Sequence, residues 1–160
     1  MSLVWNKSDL KTIAEKKTIE VNERCETLIH NGIDVKIGDD TKHFSLTTND
    51  QTNLDSMFVA VTLGAQAYPY HADGEQCTMY SATDIVTLYV TYKKFVTYQT
   101  TYCNMLHVWI NREQDEQTIY DIEYGDDLPE DLAATMNELL QDSDEQIQAI
   151  ISKMQATLNL

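Results

Sequence analysis

The tightest constraint on this chain is residues 81–113, SATDIVTLYVTYKKFVTYQTTYCNMLHVWINRE, a run with neither glycine nor proline. Its apolar and aromatic residues recur at a spacing near three and a half. Ile85, Tyr92, Gln99 and Leu106 make one row; Leu88, Phe95, Tyr102 and Trp109 make a second; Tyr89, Val96, Cys103 and Ile110 make a third. Three neighbouring rows predict a wide stripe on one long helix. At about 1.5 Å per residue that helix reaches roughly 45 Å, enough to cross a small domain. Ser81, with Asp84 three residues later, predicts a capping box that satisfies free N–H groups at the helix start. Val, Ile, Thr and Tyr also suit buried strands, so a pair of strands is the rival reading. The unbroken length favours the helix.

The remaining segments predict elements that cover this helix. Residues 8–30 read as a first helix, with Leu10, Ile13, Lys17, Val21, Cys25 and Leu28 on one face and Asn31-Gly32 as its stop. Ile33, Val35 and Ile37 alternate with polar residues, and residues 42–46 return past Gly38-Asp39-Asp40, which predicts a hairpin. Thr48 and Gln51 predict a capping box for a helix over 48–66, with Leu54, Met57, Phe58, Val61 and Ala65 inward. Pro69 and Asp73-Gly74 mark a second short hairpin within 68–80. After the long helix, residues 114–124 suggest a weaker helix ending at Gly125. Leu128-Pro129 opens another with Leu132, Met136, Leu139 and Leu140 apolar. From Ser143 the pattern resumes through Ile147, Ile150, Ile151, Met154 and Leu158. The expected fold is therefore mainly α with two small β-hairpins (α+β), a long central helix and flanking helices. Residues 4–140 form one helix-rich domain, and residues 141–160 an amphipathic C-terminal helix suited to an interface, with a symmetric dimer the expected assembly.

Charge narrows the choice of partner. The net charge is −15, and residues 113–145 hold thirteen acids with no lysine or arginine. Such a polyanion is repelled by phosphate backbones and anionic lipid, so neither nucleic-acid nor membrane binding is expected. The acidic run reads as a solvated face, as a docking surface for a basic partner, or as a mimic of DNA. No apolar run approaches the ~18 residues that a membrane span needs. The apolar start Leu3-Val4-Trp5 is broken at once by Asn6 and Lys7, so no signal peptide is expected. Three cysteines without paired spacing suit a reducing cytoplasm.

Reactive constellations are sparse. Cys103 and His107 sit four apart on the long helix, close enough to share a ligand or activate a thiol, but Cys103 belongs to the buried stripe and no second pair completes a metal set. His30, His43 and His71 are scattered. Asp121-x-Glu123-x-Gly125-Asp126-Asp127 is a faint calcium-loop pattern, but Asp126 and Leu132 stand where glycine and glutamate are required. There is no G-x-S-x-G turn and no phosphate-binding loop. The chain is not expected to be an enzyme, and no catalytic residue, cofactor or metal site is assigned. Nine tyrosines could line a sugar or small-molecule groove, although Tyr89, Tyr92 and Tyr102, with Trp109, fall at core spacing.

Two strings carry a family likeness. His43-Phe44-Ser45-Leu46-Thr47 is followed by Asp50-Gln51-x-Asn53-Leu54. Tyr80-Ser81-Ala82-x-Asp84 leads to Thr100-Thr101-Tyr102-Cys103-Asn104-x-Leu106-x-x-Trp109-Ile110. Together they resemble an uncharacterised family encoded in prophages of Gram-positive gut bacteria, among tail, baseplate and tail-fibre genes. The likeness spans residues 11–140, including Tyr124-Gly125 and Leu128-Pro129. It implies a virion- or assembly-associated protein that contacts other tail or baseplate proteins and stays in the bacterial cytoplasm until it joins a particle. It supplies no catalytic residue. The motif residues also have a local account: Thr47 or Thr48 caps the second helix, and Asn53 and Asn104 are candidates for buried polar links between elements.

Overall fold

In the computed structural model, which describes residues 7–158, the elements are α1 (Lys7–Asn31), β1 (Ile33–Ile37), β2 (Asp40–Phe44), α2 (Thr48–Thr62), β3 (Ala67–Tyr70), β4 (Thr78–Ser81), α3 (Ala82–Arg112), α4 (Glu116–Asp121) and α5 (Glu130–Leu158). The start Leu3-Val4-Trp5, the rest of residues 1–6, and residues 159–160 lie outside the described residues. The expected architecture is present: a mainly helical chain, two small antiparallel hairpins, and a long helix at the centre.

Every member of the three apolar rows on α3 is buried or half-buried, with Leu88, Leu106 and Ile110 fully so. No single neighbour can cover so wide a stripe, and three helices share it. Cys25 of α1 reaches the Gln99 carbonyl at 3.5 Å, while Ala14 lies beside Ile110, so α1 runs antiparallel along the C-terminal half of α3. On the N-terminal half, the Phe58 ring of α2 stacks on Tyr89 at 3.6 Å. Next to that stack, Asp55 accepts from the Tyr92 hydroxyl at 3.1 Å and pairs with Lys93 at 2.8 Å. α5 takes the remaining side. Lys94 bridges to Asp144 at 3.0 Å, Arg112 holds Asp131 through both nitrogens, and Ile151 and Met154 line a shared hollow with Val86.

The caps show why the elements start where they do. Ser81 and Asp84 form the expected reciprocal box, with Asp84 N–H donating to the serine oxygen at 3.1 Å. The box at α2 lies one residue earlier than Thr48 and Gln51 predict. Thr47 is the cap, and the Asp50 carboxylate accepts its N–H at 2.9 Å. An ionised carboxylate is the stronger acceptor, which leaves Gln51 to donate to the Leu46 carbonyl at 2.9 Å. α2 stops at Thr62 rather than Gln66, because Gly64 turns into the left-handed region at φ +107°.

Strand β2 likewise ends two residues before Leu46. The Ser45 N–H leaves the ladder and donates to the Asp73 carboxylate at 3.1 Å, and the Ser45 hydroxyl donates to the same group. That exchange ties the first hairpin to the second. Asp73 N–H donates to the His43 carbonyl at 2.9 Å, Lys42 pairs with Glu75, and Phe44, Tyr70 and Tyr80 pack ring against ring at 6.2–6.3 Å. Neither two-stranded ribbon is stable alone. The shared rings and the Asp73 carboxylate make one unit of them.

Two expectations at the C-terminal end are corrected. The weaker helix shrinks to α4, because Asp115 caps it at Thr118 and the chain leaves it at Ile122, anchored by buried Ile119. The two segments expected either side of residue 141 are one unbroken helix. Leu132, Met136, Leu140, Ser143, Ile147, Ile151 and Met154 keep a single inward seam along α5. Asn53 and Asn104 are exposed, so neither is a buried polar link. Both lie one position off a buried residue of their helix, where a side chain points to solvent.

Gly32 is fixed by space as well as by conformation. Its φ is +88°, and a Cβ there would sit 2.0 Å from the Phe44 carbonyl oxygen. Gly32→Ala is expected to cost at least about 2 kcal/mol in urea unfolding, since both the left-handed strain and the backbone clash oppose it. A smaller loss would mean that the α1–β1 junction can move. His43 supplies a pH dependence. Its Nδ1 lies 2.7 Å from Asp34 and its Nε2 2.7 Å from the Asn31 carbonyl, and the hydrogen bond to Asp34 raises its pKa above the ordinary value. The protonated ring is the form that donates from both nitrogens. Its stabilisation is therefore complete below about pH 6.5 and lost as pH rises through the elevated folded value. Against His43→Asn, the wild-type advantage in urea midpoint is expected to shrink between about pH 6 and pH 8.

Candidate functional site: an acidic face and a tyrosine groove

The thirteen acids of residues 113–145 run from the turn after α3 through α4 and the loop after it to the first half of α5, and nearly all are exposed. Only Asp131 and Asp144 meet a cation among the described residues, through Arg112 and Lys94. Arg112 holds the Asp131 carboxyl at about 2, well below the usual carboxylate range. The others either cap backbone or face solvent. Asp115 accepts from Thr118 N–H at 2.8 Å, and Asp126 from Glu123 N–H at 2.8 Å. In the calcium-like pattern Asp121 and Asp126 are taken by local donors, and no group of acids, histidines or cysteines suited to a metal occurs among the described residues.

Within this face lies a groove of about 480 Å³ where α1, α3, the loop before α5 and α5 itself converge. Its walls are aromatic. Tyr98 and Tyr102, one turn apart on α3, stack at 6.2 Å, and Tyr124 meets Tyr102 edge-on at 5.1 Å. Tyr102 is the anchor: its hydroxyl donates to the Asp126 carbonyl at 2.7 Å and accepts Gly125 N–H at 2.9 Å. Tyr124 donates to the Gln99 side chain at 2.7 Å. Burial raises the pKa of both phenols, so both remain neutral donors. Tyr98 is 47% exposed and its hydroxyl has no partner among the described residues. Asp127 and Arg24 line the same groove, and neither makes an ion pair among the described residues.

Beneath the groove are the two buried thiols. Cys103 lies 3.5 Å from His107 Nε2, as the four-residue spacing allows, and 3.5 Å from the Asn22 side chain. Burial, then the neighbouring Cys25, pushes the Cys103 thiol up to about 12, and burial lowers the pKa of His107. Thiol and imidazole are both neutral at pH 7, the opposite of an activated thiolate–imidazolium pair. The pair packs the α1–α3 seam. Of the other histidines, His43 is bound to the first hairpin, His71 lies 3.1 Å from the Ala72 carbonyl, and His30 is exposed. The core tyrosines fall as their spacing predicts, with Tyr92 and Tyr102 buried and Tyr89 and Trp109 packed against the core. The tyrosine count raises a groove without a location, and packing is what places it between α1, α3 and α5. Tyr98 and Tyr102 at helical spacing were a visible signal; the arrival of Arg24 and Asp127 beside them is tertiary.

The model of a domain of unknown function, DUF4376, matches residues 12–126, from α1 to the loop that closes the groove. No curated protein and no solved structure matches the chain.

The thiol assignment predicts selective labelling. Cys77 is exposed, whereas Cys25 and Cys103 are buried. A thiol reagent at pH 8 should modify one cysteine quickly and the other two only on unfolding. Rapid modification at Cys103 would contradict the neutral, packed state.

Proposed function

The chain belongs to the family of the domain of unknown function DUF4376, and on that premise we propose that it is a phage tail or baseplate-associated structural or assembly protein acting through protein–protein contacts. The observation that carries the reading is the acidic face. Thirteen acids within residues 113–145 are set on one continuous part of the chain, with two cations answering them among the described residues. A face of that charge draws in basic protein surface and turns away phosphate, over a range of about 8 Å at physiological ionic strength. The prophage likeness of the strings around Thr47 and Ser81 supplies the setting. In it, the protein waits in the bacterial cytoplasm and joins other tail or baseplate proteins. Ile150, 42% exposed on the part of α5 after residue 141, is a position through which copies would pair as a homo-oligomer.

A second reading draws on the charge alone. A net −15 spread over a small body also suits a host-directed acidic binder that imitates DNA. One experiment separates the two. The intact prophage is induced, and purified particles and their assembly intermediates are analysed by mass spectrometry. The chain is expected at a fixed ratio to a baseplate or tail component. Absence from particles and from every intermediate, with salt-sensitive capture of a host DNA-binding protein, would favour the mimic.

A further inference from the structure

We infer that the tyrosine groove is a receptor for a single cationic side chain, an arginine or lysine, presented by the protein that docks on the acidic face. This rests on the assembly reading and names the anchor within it. Three features converge. The groove has the volume for a side chain, about 480 Å³, and opens to solvent between α3 and α5. Its exposed wall is the Tyr98 ring, backed by Tyr102 and Tyr124, and aromatic faces attract cations through the negative potential above the ring. Its free carboxylate is Asp127, which spends no hydrogen bond or ion pair within the described residues.

The charge around the groove fixes the sign of the guest. Asp126 and Asp127 line it, and Glu20, Glu23 and Glu123 line the adjoining hollow; Arg24 stands between the two. Glu20 is answered by Lys17 at 3.1 Å, and the other four carboxylates against one guanidinium still leave a negative site where the only cation of the groove wall is closest. Arg24 opposes a cationic guest instead of binding it. Its removal should therefore strengthen binding, whereas an anion-binding groove would lose its ligand with the same change.

The test uses the full chain and two capped tripeptides, acetyl-Gly-Arg-Gly-amide and the same peptide with citrulline, the neutral isostere. Binding is followed by amide chemical shifts. The arginine peptide is expected to move the signals around Tyr98, Gly125 and Asp127, and the citrulline peptide to leave them in place. Tyr98→Ala and Asp127→Asn should each weaken binding about fivefold, and Arg24→Gln should tighten it. Tyr98 and Asp127 are exposed, so both variants should keep the wild-type melting temperature. Equal shifts with citrulline, shifts spread evenly over residues 113–145, or binding lost with Arg24→Gln would each overturn the inference. Asp142→Asn with Glu145→Gln, outside the groove, separates it from the assembly reading. If those changes weaken capture of a tail partner while the peptide ignores Tyr98 and Asp127, the acidic face docks but the groove is no anchor. If the peptide seats in the groove and particles lack the chain, the groove stands and the assembly setting falls.

Discussion

The burial of α3 governs everything else in this molecule. A helix with apolar residues on three adjacent rows cannot be satisfied by one partner, because one helix covers only a stripe of it. α1 takes the C-terminal half, α2 the N-terminal half, and α5 runs along the remaining side. The hairpins also pack against α3, through β1, β3 and β4. Leu46, Leu88, Leu106, Ile110 and Ile119 all reach 0% exposure around this axis, so hairpin, central helix and α4 share one core. Burying a side chain of this size stabilises by ~1.5–3 kcal/mol. Loosening α3 would therefore unseat its neighbours together.

How much of this could be read in advance follows from the range of the interactions involved. The rows of α3 and its Ser81–Asp84 cap are local, set by spacing and by a side chain three residues away, and they were legible. So was the inward face of α1, including Lys17, a lysine buried to 7% exposure whose ammonium escapes to Glu20 at 3.1 Å. Where two local solutions compete, spacing cannot choose. Thr47 with Asp50 and Thr48 with Gln51 have the same form, and the stronger acceptor decides. Asn53 and Asn104 looked like polar links because they stood within a motif, yet each is turned outward by its helix. The apparent break after residue 141 came from a gap in strong hydrophobes that Ser143 bridges on the same seam. Where the groove lies was illegible for a different reason. Its parts come from α1, α3, a loop and α5, and only the packing brings them together.

The packing also sorts the charges. The chain holds 11 lysines and arginines against 26 acids, and four of those cations are engaged where elements meet. Lys42 joins the hairpins, Lys93 joins α2 to α3, and Lys94 and Arg112 pin α5 to α3 at two separate turns. Exposed pairs of this kind add little stability each. Their consequence is for the surface. Once cations are drawn to the seams, the acids of α4 and α5 face solvent with few neighbours of opposite sign.

That segregation gives the tyrosine groove its character. An aromatic wall in neutral surroundings would accept apolar or sugar ligands as readily as any other. Set within a carboxylate-rich face, the same rings present their negative faces where the field already favours a cation. Tyr102 makes the arrangement rigid, because its hydroxyl holds both the Gly125 amide and the Asp126 carbonyl and so fixes the loop that carries Asp127. The anchor residue belongs to the core of α3, and the receptor it organises lies at the surface. The broad stripe that makes the fold therefore also determines where the aromatic groove opens on the acidic face.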